Sequence, residues 1–187
     1  MDVRKLIEEL VDREGGFVDH PADRGGPTCW GITMAVARAE GYDGSIRALS
    51  RAQAEAIYYR RYWLGPGYDQ VARRAPALAA ELLDTGVNMG PGVATGFLQR
   101  ALNALNRGAT DYADIAVDGA VGPRTLAALD GFLTRRGRGG EAVLLKAVEA
   151  LQGERYLRLA EGRPANEAFL YGWLANRIGT SALGGGA

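Results

Sequence analysis

Sulfur and imidazole are nearly missing from this chain, and their scarcity removes whole classes of chemistry. Cys29 is the one cysteine and His20 the one histidine in 187 residues. One thiol excludes an intrachain disulfide and a Cys-based zinc site, and one imidazole leaves no His-rich metal site to build. Net charge is also missing: 22 basic side chains balance 22 acidic ones. That balance gives no support for a nucleic-acid partner. By halves, residues 1–88 carry 11 basic and 13 acidic groups, and residues 89–187 carry 11 and 9. The difference is too small to mark a partner. No apolar run approaches the ~18 residues of a membrane span, so no membrane segment is expected. The start, MDVRKLIEELVDREGG, is charged from its second residue and lacks the apolar core of a signal peptide. The expectation is a protein made in the cytoplasm that reaches any outside target by another route. No internal repeat is present.

What is there is enough to fold. Apolar residues make up 47% of the chain and charged residues 24%. That is an ordinary globular composition, sufficient for one domain or two small ones. The periodicity is mainly helical. Leu6, Ile7, Leu10 and Val11 form a 3.6-period stripe that predicts a helix over roughly 3–14, ended by Gly15 and Gly16. Residues 15–32 predict a loop holding at most a small hairpin. A short helix is expected near 33–40, stopping at Gly41. Ser50 with Gln53 reads as a capping box that opens a helix to about Trp63. LGPGY at 64–68 reads as a turn. Pro76 begins a helix through Ala77–Thr85, and GVNMGPG at 86–92 reads as a hinge-like break. Phe97, Leu98, Ala101, Leu102 and Leu105 give another amphipathic helix. Residues 111–123 read as a loop, Pro123 as a helix start, and 140–160 and 165–177 as two final helices. Residues 179–187 are expected to be a flexible tail.

The most informative stretch is REGGFVDHPADRGGPTCWGIT, residues 13–33. Glu14 lies i+3 from Val11, i+4 from Leu10 and i+7 from Ile7, on the apolar stripe and not the solvated face. It also lies in the last helical turn, where the helix dipole disfavours negative charge. Burial and dipole both favour the protonated acid. A glycosidase needs such an acid to protonate a leaving oxygen. Taken alone, Glu14 reads equally well as a residue that ends a helix before a glycine cap. Asp19, Asp23 and Thr28 follow in a loop able to fold back over the helix end. A carboxylate and a hydroxyl there can hold water for attack on a sugar; inverting chemistry needs carboxyls ~6.5–9.5 Å apart.

The stretch resembles the signature of glycoside hydrolase family 108, phage and bacterial N-acetylmuramidases of which some are described as secretion activators. The resemblance implies that the Glu-Gly-Gly element carries the catalytic glutamate, on Glu14. The Glu–Asp–Thr order is also similar to the catalytic triad of phage lysozymes, which implies Asp23 and Thr28 as counterparts, with the Asp-to-Thr spacing one residue shorter here. LSRAQAEAIYYRRYW at 49–63 and ELLDTGVNMGPGVATGFLQRALN at 81–103 look like the family's middle segments. VDGAVGPRTLAAL at 117–129 and ERYLRLAEGRPANEAFLYGWLANRI at 154–178 resemble the peptidoglycan-binding module that follows this catalytic region.

Other residues carry two readings each. His20 is more simply a loop residue than a catalytic one. Cys29 is more simply a packing residue than a nucleophile, since its base would have to be His20. Trp30, Tyr62, Trp63 and Tyr68 can stack on sugar faces or belong to the core. Asn88 can bind an N-acetyl group or cap its helix. With Asp19, the residues Trp30, Tyr62 and Asn88 form the candidate set of substrate contacts. In DGAVGPRT, residues 118–125, an Asp-Gly turn before a Gly-Pro helix start explains the residues singly. Arg135, Arg136 and Arg138 read as a solvated loop or as a patch for anionic peptidoglycan.

The expectation is an all-α, lysozyme-like, two-lobed fold with at most a small β-hairpin. Residues 1–88 would form a catalytic lobe and 89–178 a helical peptidoglycan-binding lobe, packed together about a cleft. The resemblance implies hydrolysis of the β-1,4 bond between N-acetylmuramic acid and N-acetylglucosamine. Glu14 would act as general acid, with Asp23 and Thr28 positioning water or stabilising the oxocarbenium-like transition state. No cofactor or metal is implied. The partner is the peptidoglycan glycan strand; a monomer is expected, released to the wall by a holin or another export device, as in a phage or prophage endolysin. Two rivals stand. A lytic transglycosylase needs no water and leaves 1,6-anhydro ends. A non-catalytic wall-binding or secretion-related protein releases no sugars.

Overall fold

The computed structural model describes residues 1–19 and 26–179, so His20 and Asp23 lie outside the described residues. The chain is mostly helical, as the periodicity predicts, and lysozyme-like, as the resemblance implies. It divides into two compact units, one over Met1–Gly65 and the other from Pro66 onward.

In the first unit, Asp2 caps helix α1 (Val3–Glu14) by accepting from the Arg4 N–H at 2.9 Å. The predicted stripe becomes the buried face: Ile7, Leu10 and Val11 are all buried. Gly15 ends the helix with φ +73°, its N–H returning to the Val11 carbonyl. The expected small hairpin is a three-stranded antiparallel sheet of two-residue strands: β1 (Phe17–Val18), β2 (Thr28–Cys29) and β3 (Ile32–Thr33), paired in that order. Thr33 leaves β3 by capping α2 (Met34–Ala39), accepting from the Val36 N–H. A short 3-10 turn (Ile46–Ala48) leads to α3 (Arg51–Tyr58). The capping box is present: the Gln53 N–H donates to Ser50 Oγ at 3.3 Å, and the Ser50 N–H donates to Gln53 Oε1 at 3.0 Å. Helix α1 packs on α3. Truncating a buried chain at this contact, for example Leu10→Ala, leaves a cavity that costs about 2–5 kcal/mol.

The helix begun by α3 does not stay α-helical. Over Tyr59–Leu64 it widens into a π-helix, closed by the Gly65 N–H donating to the Arg60 carbonyl at 2.7 Å. Such widenings shift the side chains that follow by one position around the axis and are often found near functional sites.

The second unit contains α4 (Tyr68–Ala72), α5 (Pro76–Met89), α6 (Pro91–Ala104), α7 (Pro123–Arg136), α8 (Gly140–Glu161) and α9 (Glu167–Arg177). Proline stands at the first position of α5, α6 and α7, where its missing N–H costs nothing. Helices α5, α6 and α8 pack on one another around Leu78, Leu82, Leu98, Leu102 and Leu144. The break expected over 86–92 is narrower than its composition suggests. Helix α5 runs through Gly86 to Met89, and only Gly90 departs, with φ +92°. Gly86 is a packing residue: a Cβ there would meet the Tyr68 ring at 3.5 Å and Pro91 Cα at 3.6 Å. The Tyr68 hydroxyl donates to the Pro91 carbonyl at 3.0 Å.

Two amides on one face of α6, Gln99 and Asn103, and a third just beyond its end, Asn106, hold the loop that follows. Asn106 Nδ2 donates to the Tyr112 carbonyl and to Asp114; Asn103 exchanges hydrogen bonds with the Ile115 backbone in both directions. Gln99, 1% exposed, donates to Asp118 Oδ1 at 2.7 Å, to the Ala120 carbonyl and to Thr125 Oγ1, and accepts from the Gly119 N–H at 2.9 Å. The Gln99 amide holds the Asp118 carboxyl below the usual carboxylate range. Gly119 has φ +74° and lies so close to Gly92 that a Cβ would be 2.8 Å from its carbonyl oxygen. The Asp-Gly…Gly-Pro-x-Thr residues are thus a latch before α7.

Candidate active site

Glu14 is the last residue of α1, half-buried, with the chain turning away at Gly15. The segment that comes back against it is the β2–β3 turn. Cys29 pairs with Ile32, leaving Trp30 and Gly31 as a two-residue loop. Both have positive φ, +54° and +72°, the backbone of a type I′ turn. Glycine takes that conformation freely; a tryptophan there costs roughly 1–2 kcal/mol. Three contacts hold Trp30 in place. Its N–H donates to the Gly16 carbonyl at 3.2 Å, its indole Nε1 donates to the Leu49 carbonyl at 3.0 Å, and its own carbonyl accepts from Tyr58 Oη at 3.0 Å.

Gly31 is where the turn meets the acid. A Cβ on Gly31 would lie 2.8 Å from Tyr58 Oη, 2.9 Å from Glu14 Oε2 and 3.0 Å from Glu14 Cβ. The carboxyl of Glu14 and the hydroxyl of Tyr58 therefore converge on one bare Cα. Tyr58 is 2% exposed, and its phenol is pushed well above its ordinary range by burial, then by the nearby Glu14 charge and by Tyr62. The hydroxyl accordingly keeps its proton and stays a donor.

The other candidates are distributed as follows. Thr28 lies in β2, half-buried, opposite Val18 on one side and Thr33 on the other. Asp19 is exposed and directly follows β1. Trp30 is half-buried, with its indole N–H engaged by Leu49. Tyr62 lies in the π-helix, its ring centroid 5.5 Å from that of Tyr58, with Arg61 5.9 Å from its face. These residues, with Glu14, belong to the first unit. Asn88 belongs to the second, on α5, where its amide donates back to the Asp84 carbonyl at 2.7 Å and to the Asp84 carboxylate at 3.3 Å. Cys29 is buried, its Sγ 3.7 Å from the Leu49 carbonyl, and burial pushes its thiol up, away from the thiolate a nucleophile needs. Trp63 and Tyr68 are core residues.

Tyr58 and the contact role of Gly31 are not among the candidates that the sequence offers. Gly31 had a local signal, since a residue pair ending in glycine between two strand-forming pairs is a hairpin turn. Tyr58 had only its position on the buried stripe with Ala54 and Ile57, which marks it as core. Two of the three arginines near residue 136 are better explained by the fold. Arg135 and Arg136 reach Asp111 at 3.2 and 3.6 Å, and Arg107 also pairs with it. Together they hold the Asp111 carboxyl low, Arg107 most of all.

Among the described residues no group of His, Cys, Asp and Glu could hold a metal ion, and no helix is long and apolar enough to cross a membrane. Residues 7–90 match the family described as Glycosyl hydrolase 108, and residues 93–178 match the one described as Predicted Peptidoglycan domain. Among solved structures, the chain is similar to Brucella abortus SagA, at 26% identity and a TM-score of 0.64, over 91% of this chain and 86% of that one. No curated protein matches the chain.

Proposed function

The chain belongs to the glycosyl hydrolase 108 family and carries a peptidoglycan domain, and from that premise we propose that it is an N-acetylmuramidase. It hydrolyses the β-1,4 bond between N-acetylmuramic acid and N-acetylglucosamine. The observation that supports this reading best is the setting of Glu14. It is a half-buried acid at a helix end, pressed against a bare Cα in a turn held by a buried tyrosine.

In this reaction Glu14 gives its proton to the glycosidic oxygen as the C–O bond breaks. A water oxygen then bonds to the anomeric carbon as its proton passes to a carboxylate of the site, Asp23 or Glu14, so that each new chain end is a hydroxyl. Asp23 and Thr28 position that water or stabilise the oxocarbenium-like transition state. Asp19, Trp30, Tyr62 and Asn88 contact the glycan. The enzyme acts as a monomer of the endolysin kind, made in the cytoplasm and admitted to the wall by a holin or another export device.

The test is to incubate the protein and its Glu14→Gln variant with purified Gram-negative sacculi and to analyse the released muropeptides by mass spectrometry. Reducing muropeptides from the wild type and none from the variant are expected. Anhydro ends would identify a transglycosylase. Binding to sacculi without release would leave a wall-binding protein.

A further inference from the structure

A general acid is useful only when its proton points at the leaving oxygen, so whatever orients Glu14 governs turnover. A glutamate has two rotatable side-chain bonds beyond Cβ, and the chain leaves α1 at the residue after Glu14. Gly31 supplies a wall close enough that a Cβ on it would lie 2.9 Å from Oε2 and 3.0 Å from Cβ of Glu14. That wall belongs to a turn with two consecutive positive-φ residues, one of them a tryptophan. Left to itself, such a turn would relax toward easier backbone geometry. Tyr58 opposes this with a hydrogen bond to the Trp30 carbonyl.

We propose that the Tyr58 hydroxyl is a positioning group for Glu14, acting through the Trp30–Gly31 turn. The inference rests on the reading of Glu14 as the general acid. Tyr58 suits the role for three reasons. It comes from the last turn of α3, whose buried face fixes its ring between Ala54 and Ile57 and the core. Its phenol holds its proton, so the bond to Trp30 is not lost as pH rises. Its oxygen would itself lie 2.8 Å from a Cβ on Gly31, so it closes the same space that the Glu14 carboxyl uses. Glycine is required at 31 for space as much as for φ.

The test uses the full chain and purified sacculi. Turnover at saturating sacculi and the half-saturating concentration are measured for wild type, Glu14→Gln, Tyr58→Phe and Gly31→Ala, with melting curves for each. Tyr58→Phe keeps the ring and removes only the donor. Its turnover should fall about 10-fold, with half-saturation within about 2-fold of wild type; Gly31→Ala, which pushes on the carboxyl directly, should lose about 100-fold, the scale of a misplacement near 1 Å. A merely structural tyrosine would lower the melting temperature and leave turnover per folded molecule intact. Wild-type turnover in Tyr58→Phe, beside an inactive Glu14→Gln, would overturn this inference and leave the muramidase reading standing. If Tyr58→Phe melts too early to assay, Gly31→Ala decides, and full turnover there overturns the inference as well. If the wild type itself releases no reducing ends, the muramidase reading fails and this inference fails with it.

Discussion

Two glutamates in the same chain have opposite surroundings. Glu14 ends a helix in the first unit, half-buried, with its carboxyl against a glycine in a strained turn. Glu81 lies in the middle of α5 in the second unit, 8% exposed, accepting from Thr85 Oγ1 at 3.0 Å. Asp84, Glu149 and Arg177 are the charged groups that act on it. Burial first, then Asp84, pushes the Glu81 carboxyl up to about 7. Burial and a raised proton affinity alone would therefore pick out Glu81 as the catalytic acid. What separates the two is access and orientation. An acid inside a helical core has nowhere to send its proton, whereas an acid at a helix end beside a shaped turn does.

The sharpest way to break this comparison is to neutralise each acid in turn. Glu14→Gln should lower muropeptide release about 10³-fold with its melting curve unchanged, within the range expected for loss of a general acid. Glu81→Gln should release muropeptides at the wild-type rate. Comparable losses in both variants, measured by mass spectrometry of digested sacculi, would show that the distinction between the two acids is wrong.

The same contrast explains what the sequence could and could not disclose. The Ile7–Leu10–Val11 stripe, the Gly15 stop, the Ser50–Gln53 capping box and the Pro76 and Pro123 helix starts are local signals, and each appears where the spacing puts it. Glu14 was legible because its spacing from Leu10 and Val11 is local as well. The course of α5 through Gly86 was not, because the glycines of 86–92 are a local breaking signal, whereas what carries the helix past the buried Gly86 is its packing on other helices. The π-helix over Tyr59–Leu64 leaves no periodic trace in so short a segment. Tyr58 is linked to Trp30 across 28 residues, and no pattern within α3 separates a core tyrosine from one that holds a turn.

A second comparison is between the two glycine-containing turns. The Trp30–Gly31 turn carries strain and is held by hydrogen bonds to three separate residues, Gly16, Leu49 and Tyr58; the 118–120 turn is held by one amide whose two protons serve three acceptors. Removing Gln99 should show how much such a latch contributes. Gln99→Ala strips the Gly119 N–H of its partner and the Asp118 carboxylate of one of its donors and leaves a hole, which should cost roughly 3–5 kcal/mol in denaturant unfolding. A loss below about 1 kcal/mol would mean that Asn103 and Asn106 suffice to hold the loop.

Glu81 yields a smaller effect with a definite sign. Its carboxyl releases its proton near 4.5 when unfolded and at about 7 when folded. Between those values the folded state binds more protons, so stability is fully present below about 4.5 and falls as pH rises through about 7. The loss is at most about 3 kcal/mol, at about 1.4 kcal/mol for each unit. Glu81→Gln keeps an oxygen for Thr85 and has no proton to lose. It should therefore match or fall below wild type at pH 4 and exceed it at pH 8, by about 2 kcal/mol. Thermal melts of the two proteins that run parallel across this range would remove burial as the dominant influence on Glu81.

The smallest effect separates holding Tyr58 in place from merely stabilising the helix that carries it. Ser50 caps α3 from the end opposite Tyr58, and its side chain accepts from the Gln53 N–H. Ser50→Ala should destabilise the first unit by about 1 kcal/mol. It touches neither the Trp30 carbonyl nor Glu14, and the Tyr58 ring stays clamped by its core neighbours. Turnover at saturating sacculi should consequently remain at the wild-type value at temperatures well below melting. If turnover instead follows stability, so that Ser50→Ala loses as much as Tyr58→Phe, then the site responds to the firmness of α3 as a whole. The single hydroxyl at its end would then have no separate part in orienting the acid.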